Sequence, residues 1–317
     1  MKILLIDGNN LGWMSFSQAP LTYDGKRVEM IFIGLNMLRK YIVDFEPDDC
    51  CVIWDGGHDS RRKKLFPQYK RKKKRELTKV EEYEKNAFFQ QLKEFQKVLG
   101  SFEIPQIRCK GREADDIIYN VIASHKLESE FILVSTDKDF YQLLDCQKNV
   151  RIYSPGKKKE VTIKNVEKEF GIPIENYVEY KAMVGDPSDN LPGVKGLGPV
   201  AAKWLVNSVF IPQKGDIKDK IKRWSASHAR LVGLLGDNIE TFKLMKTLIQ
   251  FMAIDSKEVE AGMFGTRTHA MAGYQERILW VLEEYGFDRF LEKFEWFFSP
   301  FEQLWRKNEN SSFRRSA

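Results

Sequence analysis

The sequence predicts an α/β fold with a mostly parallel central sheet, and three short segments carry that prediction. KILLID closes on Asp7, CCVIWD on Asp55, and FILVSTDKD on Asp137 and Asp139. Each is a short, continuous apolar run rich in branched residues, with helical patterning before the next, as expected of strands buried on both faces. Ligands of such sheets collect at the carboxyl edge of the strands, where all these aspartates fall. One aspartate after a strand is an ordinary turn or capping residue, so the recurrence carries the functional reading.

The remaining elements follow in order. EIPQIRCK reads as a further strand, and a helix opens after it in GREADDIIYN. Glu113 and Asp116 share a face of that helix with Asp115 beside them. Acids in a first turn also suit the helix dipole, which is a purely structural alternative. Residues 27–45 and 164–184 read as helices. More than forty residues separate CCVIWD from EIPQIRCK, too many for a tight α/β connection. The second part of that interval, TKVEEYEKNAFFQQLKEFQKVLG, has apolar residues at the spacing of an amphipathic helix. MVGDPSDNLPG sets Asp186 and Asp189 in a loop punctuated by Gly and Pro, an Asx turn if taken alone. After residue 200 the pattern reads as wholly helical, and the polar last residues read as a frayed end.

At 317 residues the chain exceeds one average domain, so a main core plus a smaller unit is expected. No apolar run reaches the roughly 18 to 20 residues needed to span a bilayer, and MKILLIDGNN turns polar early, so a cytosolic protein without a membrane partner is expected. Cys50, Cys51, Cys109 and Cys146 show no C-x-x-C spacing and read as buried thiols. The four histidines have no H-x-x-x-H spacing, so a metal here would be held by oxygen, as magnesium and manganese are. The formal charge of +6 is unevenly spread: residues 61–75 carry ten Lys or Arg, and without them 41 basic residues face 45 acidic ones.

If the elements meet as the fold implies, up to nine carboxylates surround one sheet edge: Asp7, Asp55, Glu113, Asp115, Asp116, Asp137, Asp139, Asp186 and Asp189. They cannot all ionise at neutral pH without counter-charge, and divalent ions supply it. Two such ions suit in-line displacement at a phosphodiester. The basic run fits a polyphosphate backbone, and Phe66 and Tyr69 within it could stack on bases, whereas a solvated basic tract is the bland alternative. GVKGLGPVAAKWL offers a second phosphate device through Gly196, Gly198 and Pro199, flanked by Lys195 and Lys203, or a simple glycine turn between helices.

Together these segments resemble the 5′-nuclease family of flap endonucleases and 5′-3′ exonucleases, particularly its bacteriophage and bacterial branch. The match runs in order through LIDGNNLGW, VIWDGG, the segment ending in FPQYK, GREADD, STDKDF, GDPSDN and GVKGLGPVAAKWL, about residues 1–210. The resemblance implies a three-layer α/β core over residues 1–185, with 58–99 as a helical arch. It further implies a helix-three-turn-helix gripping duplex DNA over 186–270, and C-terminal helices with a flexible tail over 271–317. Two Mg2+, with Mn2+ as substitute, would be the cofactors. Asp7, Asp55, Glu113 and Asp115 would hold the first, with Asp116 shared or behind them; Asp137, Asp139, Asp186 and Asp189 would hold or hydrate the second. Lys70 matches the family lysine that positions the scissile phosphate. Arg61, Arg62, Tyr69, Lys73, Gly193, Lys195, Gly196, Gly198 and Lys203 would meet DNA, and the hairpin at Gly196 would offer a K+ site.

The implied activity is structure-specific 5′ nuclease cleavage of branched, nicked or 5′-ended duplex DNA, extending to RNA primers or RNA–DNA hybrid. It would serve replication or repair, by a monomer open to replication proteins. Two departures stand out: Met14 occupies a position that is arginine in many relatives, and the arch is unusually rich in lysine. The alternatives are a PIN-like ribonuclease, against which GVKGLGPVAAKWL argues, and a DNA-binding scaffold without catalysis.

Overall fold

The computed structural model describes residues 1–16, 19–57, 59–71, 76–125, 129–146, 149–210, 226–265 and 273–307. Its strands are β1 (Lys2–Asp7), β2 (Thr22–Tyr23), β3 (Lys26–Arg27), β4 (Asp49–Ile53), β5 (Gln106–Ile107), β6 (Glu130–Val134), β7 (Val150–Ser154), β8 (Lys159–Val161) and β9 (Met263–Phe264). Seven of them form one sheet in the order β8-β7-β6-β1-β4-β5-β9. The five inner strands are parallel, and β8 and β9 close the edges antiparallel.

The period of two along each strand makes the layers. Leu4, Ile6, Cys50, Val52, Ile132 and Val134 face one hydrophobic cluster, while Ile3, Leu5, Cys51, Ile53, Phe131 and Leu133 face another. The first cluster is covered by α2 (Glu29–Phe45) and α4 (Lys79–Ser101), the second by α5 (Ala114–Ser124). Here α1 is Gly8–Ser15 and α3 is Ser60–Leu65. Helix α4 starts at a reciprocal cap: Thr78 Oγ1 accepts from Glu81 N at 3.2 Å while Glu81 Oε2 accepts from Thr78 N at 2.9 Å, satisfying two otherwise orphaned donors.

Beyond the sheet come α6 (Leu143–Cys146), α7 (Ile163–Phe170), α8 (Tyr177–Val184), α9 (Pro199–Leu205), α10 (Ala226–Asp237), α11 (Ile239–Ile249), α12 (Ser256–Ala261), α13 (Tyr274–Glu284), α14 (Asp288–Leu291) and α15 (Phe294–Lys307). Helices α8, α9 and α11 enclose a third cluster built on Met183, Leu197, Leu205 and Met245. The C-terminal helices do not stand apart: Tyr274, Ile278, Phe297 and Phe301 fill the same cluster as Leu4 and Phe95.

Three expectations need correction. The segment after residue 200 is not wholly helical, because Met263 and Phe264 pair with Ile107 and Gln106 as β9. The helix expected over 164–184 is broken between α7 and α8, where Gly171 takes the left-handed conformation at φ 68° and Pro173 follows, which prevents its continuation. Residues 26–27 are strand, so the helix expected from 27 begins at Glu29. Cys50, Cys51 and Cys109 are buried free thiols as expected; the side chain of Cys146 and residue Lys73 lie outside the described residues.

Candidate active site

Strand β1 delivers Asp7 to the carboxyl edge, where it also caps α1: Oδ1 accepts from Asn10 N at 3.0 Å and Oδ2 from Ser135 Oγ at 2.8 Å. The two asparagines of DGNN staple neighbouring strand ends together. Asn9 Nδ2 donates to Asp55 Oδ2 at 2.8 Å, and Asn10 Nδ2 donates to Thr136 Oγ1 at 2.5 Å. Asp55 follows β4, and its Oδ1 accepts from Ala114 N at 2.8 Å, fixing the first turn of α5 against the same edge. That turn carries Glu113, Asp115 and Asp116.

The acids do not all point the same way. Burial, and then the Asp55 and Asp137 charges, push Asp7 up to about 7 although Asn10 and Ser135 oppose this. Burial and the Asp137 charge push Asp115 well above the ordinary carboxylate range, with Asp55 and Asp7 adding to the shift and Lys70 opposing it. These four carboxylates therefore crowd one another. Glu113, Asp115, Asp139, Asp186 and Asp189 line a common cleft with Tyr69. Asp116 is instead fully buried behind it. Its Oδ2 accepts from Arg62 Nη1 at 2.5 Å and Arg61 Nη2 at 3.1 Å, and its Oδ1 from Arg62 Nη2 at 2.9 Å and Met252 N at 2.7 Å.

Sequence reasoning set Arg61, Arg62 and Tyr69 toward DNA; here Arg62 and Tyr69 are buried, while Arg61 stays partly exposed. Arg62 is 3% exposed and also donates to the carbonyls of Leu248 and Gln250, each at 2.9 Å. Arg61 is tied to Asp59 through Nη2 at 2.6 Å. Tyr69 is buried, and its hydroxyl lies 2.7 Å from Glu113 Oε2 and 3.1 Å from Asp189 Oδ2, donating to one of them. Lys70 Nζ lies 3.1 Å from Glu113 Oε1 and 3.6 Å from Asp189 Oδ2, and its backbone N donates to Asp189 O at 2.8 Å. The basic interval is thus rooted on the GDPSDN loop.

That loop is closed by paired hydrogen bonds between Asp186 and Leu191, both 2.8 Å. Gly185 and Gly193 make it possible: both have positive φ, and a Cβ on either would sit 2.5 Å from a backbone carbonyl oxygen. Burial, with Asp139 and Asp186 nearby, raises Asp189 to about 6 despite Lys70. Lys181, unflagged by the sequence reading, bridges Asp139 and Asp186. Gly193 is buried, while Lys195, Gly196, Gly198 and Lys203 are exposed around the start of α9, where Gly198 caps and Pro199 opens the helix. Met14 lies on α1, next to Trp13, which is 62% exposed and stacks on Phe88 of α4 at 4.1 Å.

The donor set is oxygen only, which suits a hard divalent cation. Among the described residues no three side chains are closed around a common metal position; ammonium groups of Lys70 and Lys181 hold several of the oxygens instead.

Fold and site define a class: a doubly covered, mostly parallel sheet whose carboxyl edge concentrates acids, met there by Arg62 and Lys70 of the basic run. The family described as 5′-3′ exonuclease, N-terminal resolvase-like domain, matches residues 2–171. The chain belongs to the 5′-3′ exonuclease family. It is similar to the 5′-3′ exonuclease of Mycoplasmopsis pulmonis, 27% identical over 305 residues, covering 96% of this chain and 97% of the relative. It is also similar to DNA polymerase I of Caldicellulosiruptor bescii, 31% identical over 213 residues, which cover 65% of this chain but 24% of that protein. The chain thus spans nearly the whole of one relative and about a quarter of the other. Among solved structures, the bacteriophage T5 flap endonuclease in a pseudo-enzyme–product complex with DNA and metal ions shares the fold, with TM-score 0.60 and 18% identity, covering 98% of this chain and 100% of that one. No described helix is long and apolar enough to cross a membrane.

Proposed function

We propose that the protein is a structure-specific 5′ nuclease that hydrolyses phosphodiesters in branched, nicked or 5′-ended duplex DNA. The observation that carries this reading is the meeting of Asp7, Asp55, Glu113, Asp115, Asp137, Asp139, Asp186 and Asp189 at one edge, within a chain of the 5′-3′ exonuclease family. Mg2+, or Mn2+ in its place, is the cofactor this oxygen-only set would hold, and when bound it supplies an activated water and charge neutralisation for the phosphate. Asp7, Asp55, Asp115 and Asp137 are its nearest candidate ligands. Asn9, Asn10 and Ser135 hold those acids in register, and Tyr69 orients Glu113.

Lys70, at the rim of the cleft, is the candidate contact to the scissile phosphate. The basic interval beyond it, including Lys73, and the exposed Lys195 and Lys203 would attract the phosphate backbone without reading bases. Gly193, Gly196 and Gly198 would let a helix-three-turn-helix backbone approach the duplex, with K+ at the Gly196 turn. RNA–DNA hybrid is a second substrate in this reading, the working unit is a monomer because one chain supplies the whole cluster, and replication proteins in the cytosol are its partners.

The test is cleavage of an end-labelled 5′-flap duplex with Mg2+ or chelator, beside intact duplex and RNA–DNA hybrid, for wild type and Asp55→Asn. Mg2+-dependent cutting near the flap junction, lost in Asp55→Asn while duplex binding persists, is expected. Binding without cutting under any divalent metal would overturn the reading.

A further inference from the structure

Lys181 sits on α8, five residues before Asp186 in sequence. Its Nζ lies 2.7 Å from Asp139 Oδ1 and 2.5 Å from Asp186 Oδ2, and the side chain is 14% exposed. Asp139 belongs to the turn after β6 and Asp186 to the loop after α8, so one ammonium joins the sheet edge to the helical lobe. Among the described residues no other cation lies within 4.0 Å of either carboxylate, whereas Asp7, Asp115 and Asp137 make no salt bridge at all. Charge compensation is therefore lopsided. One half of the acid cluster is paired with an ammonium at contact range, while the other has none that close, Lys70 and Lys181 opposing its mutual repulsion only from farther away.

We infer that Lys181 is a built-in cation that makes the two halves of the site unequal toward divalent ions, an inference that rests on the metal-site reading above. The half at Asp7, Asp115 and Asp137 takes an ion more readily because no ammonium sits within salt-bridge distance of its oxygens; only neutral donors, Asn10 N and Ser135 Oγ on Asp7 and Asp139 N on Asp137, hold them. An ion approaching Asp139 and Asp186 must displace an ammonium already within hydrogen-bond distance of both, and it feels that positive charge at close range. Lys181 is thus a positioning residue: it keeps Asp139 and Asp186 together before loading and sets the concentration at which the second ion enters.

The experiment titrates Mn2+ into the full-length, DNA-free protein, with calorimetry for affinity and the paramagnetic signal of free Mn2+ for stoichiometry. Wild type, Lys181→Met, Lys181→Gln and Lys181→Arg are compared, each checked for folding by circular dichroism. Wild type is expected to bind one ion at least about tenfold more tightly than a second. Lys181→Met and Lys181→Gln should tighten the second by about tenfold or more and leave the first nearly unchanged, as removal of a unit charge at contact range predicts. Lys181→Arg should behave as wild type. If Met fails to fold, the polar Gln variant decides. A second affinity that is unchanged or weaker in the neutral variants overturns the inference, as do two equal ions in wild type. Absence of any Mn2+ binding in every variant would remove the metal-site reading as well.

Discussion

Arg62→Met removes a guanidinium that is 3% exposed and meets Asp116 with two nitrogens, at 2.5 and 2.9 Å. Methionine replaces much of the volume, so the dominant effect is electrostatic. Asp116, fully buried, keeps Arg61 at 3.1 Å and the amide of Met252 at 2.7 Å, but loses its forked partner. Removing one member of a buried pair costs about 3 to 5 kcal/mol. The carbonyls of Leu248 and Gln250 lose their donor too, adding about 1 kcal/mol or more, which the remaining Arg61 contact partly offsets. A net loss of about 3 to 5 kcal/mol is expected, lowering the thermal midpoint by about 4 to 8 °C. Guanidinium denaturation followed by tryptophan fluorescence and circular dichroism measures it. Adding Asp116→Leu should recover part of the loss, since both charges then leave together. A stability change below about 1 kcal/mol with weakened DNA binding would refute the reasoning and make Arg62 a phosphate contact.

Other consequences can be checked on the same protein. Asp7 at about 7 and Asp189 at about 6 both stand above the ordinary carboxylate value of 3.8. Raised carboxyls stabilise the fold while protonated, fully below about pH 4, and that contribution is lost as pH rises toward 7. In chelator the melting temperature should therefore fall from pH 5 to pH 8, with Asp7 alone accounting for roughly 2 to 3 kcal/mol over that range. Mn2+ should restore more at pH 8 than at pH 5, and a level or rising midpoint would sink the claim. Tyr69→Phe strips Glu113 Oε2 of the hydroxyl at 2.7 Å and should cost about 1 to 3 kcal/mol in urea denaturation; an unchanged midpoint would show that hydroxyl to be dispensable. Gly185→Ala forces a Cβ to within 2.5 Å of Leu191 O at φ +86°, so a loss of about 1 to 3 kcal/mol is expected, and wild-type melting would contradict it.

What could be read in the sequence was what local pattern determines. KILLID, CCVIWD and FILV are continuous apolar runs because both faces of the sheet are covered, and they fall on β1, β4 and β6. Helix α4 announces itself by apolar spacing, while its Thr78–Glu81 cap was found only in the structure. Two-residue β9 has no period to detect, and β5 beside it is only as long. The burial of Arg62 has no local signal either: a forked contact with Asp116 across 54 residues makes an arginine in a basic run structural. Tyr69 is similar, since only the fold brings Glu113 to its hydroxyl. The paired asparagines after Asp7 were visible as letters, but their staples to Asp55 and Thr136 depend on strand order.

The antiparallel closure by β9 bears on how the chain is made. The Tyr274 hydroxyl donates to the carbonyl of Phe102 across 172 residues, and Met263 and Phe264 cover the open edge of β5. During ribosomal synthesis residues up to about 260 would emerge with the part of the first cluster that Tyr274, Ile278, Phe297 and Phe301 fill still open and that strand edge bare. Contacts so distant in sequence form late, and until they form an exposed edge can pair with other chains. The family-matching segment, residues 2–171, would therefore be aggregation-prone as a nascent fragment, and its maturation would wait on strand β9 and the helices after it.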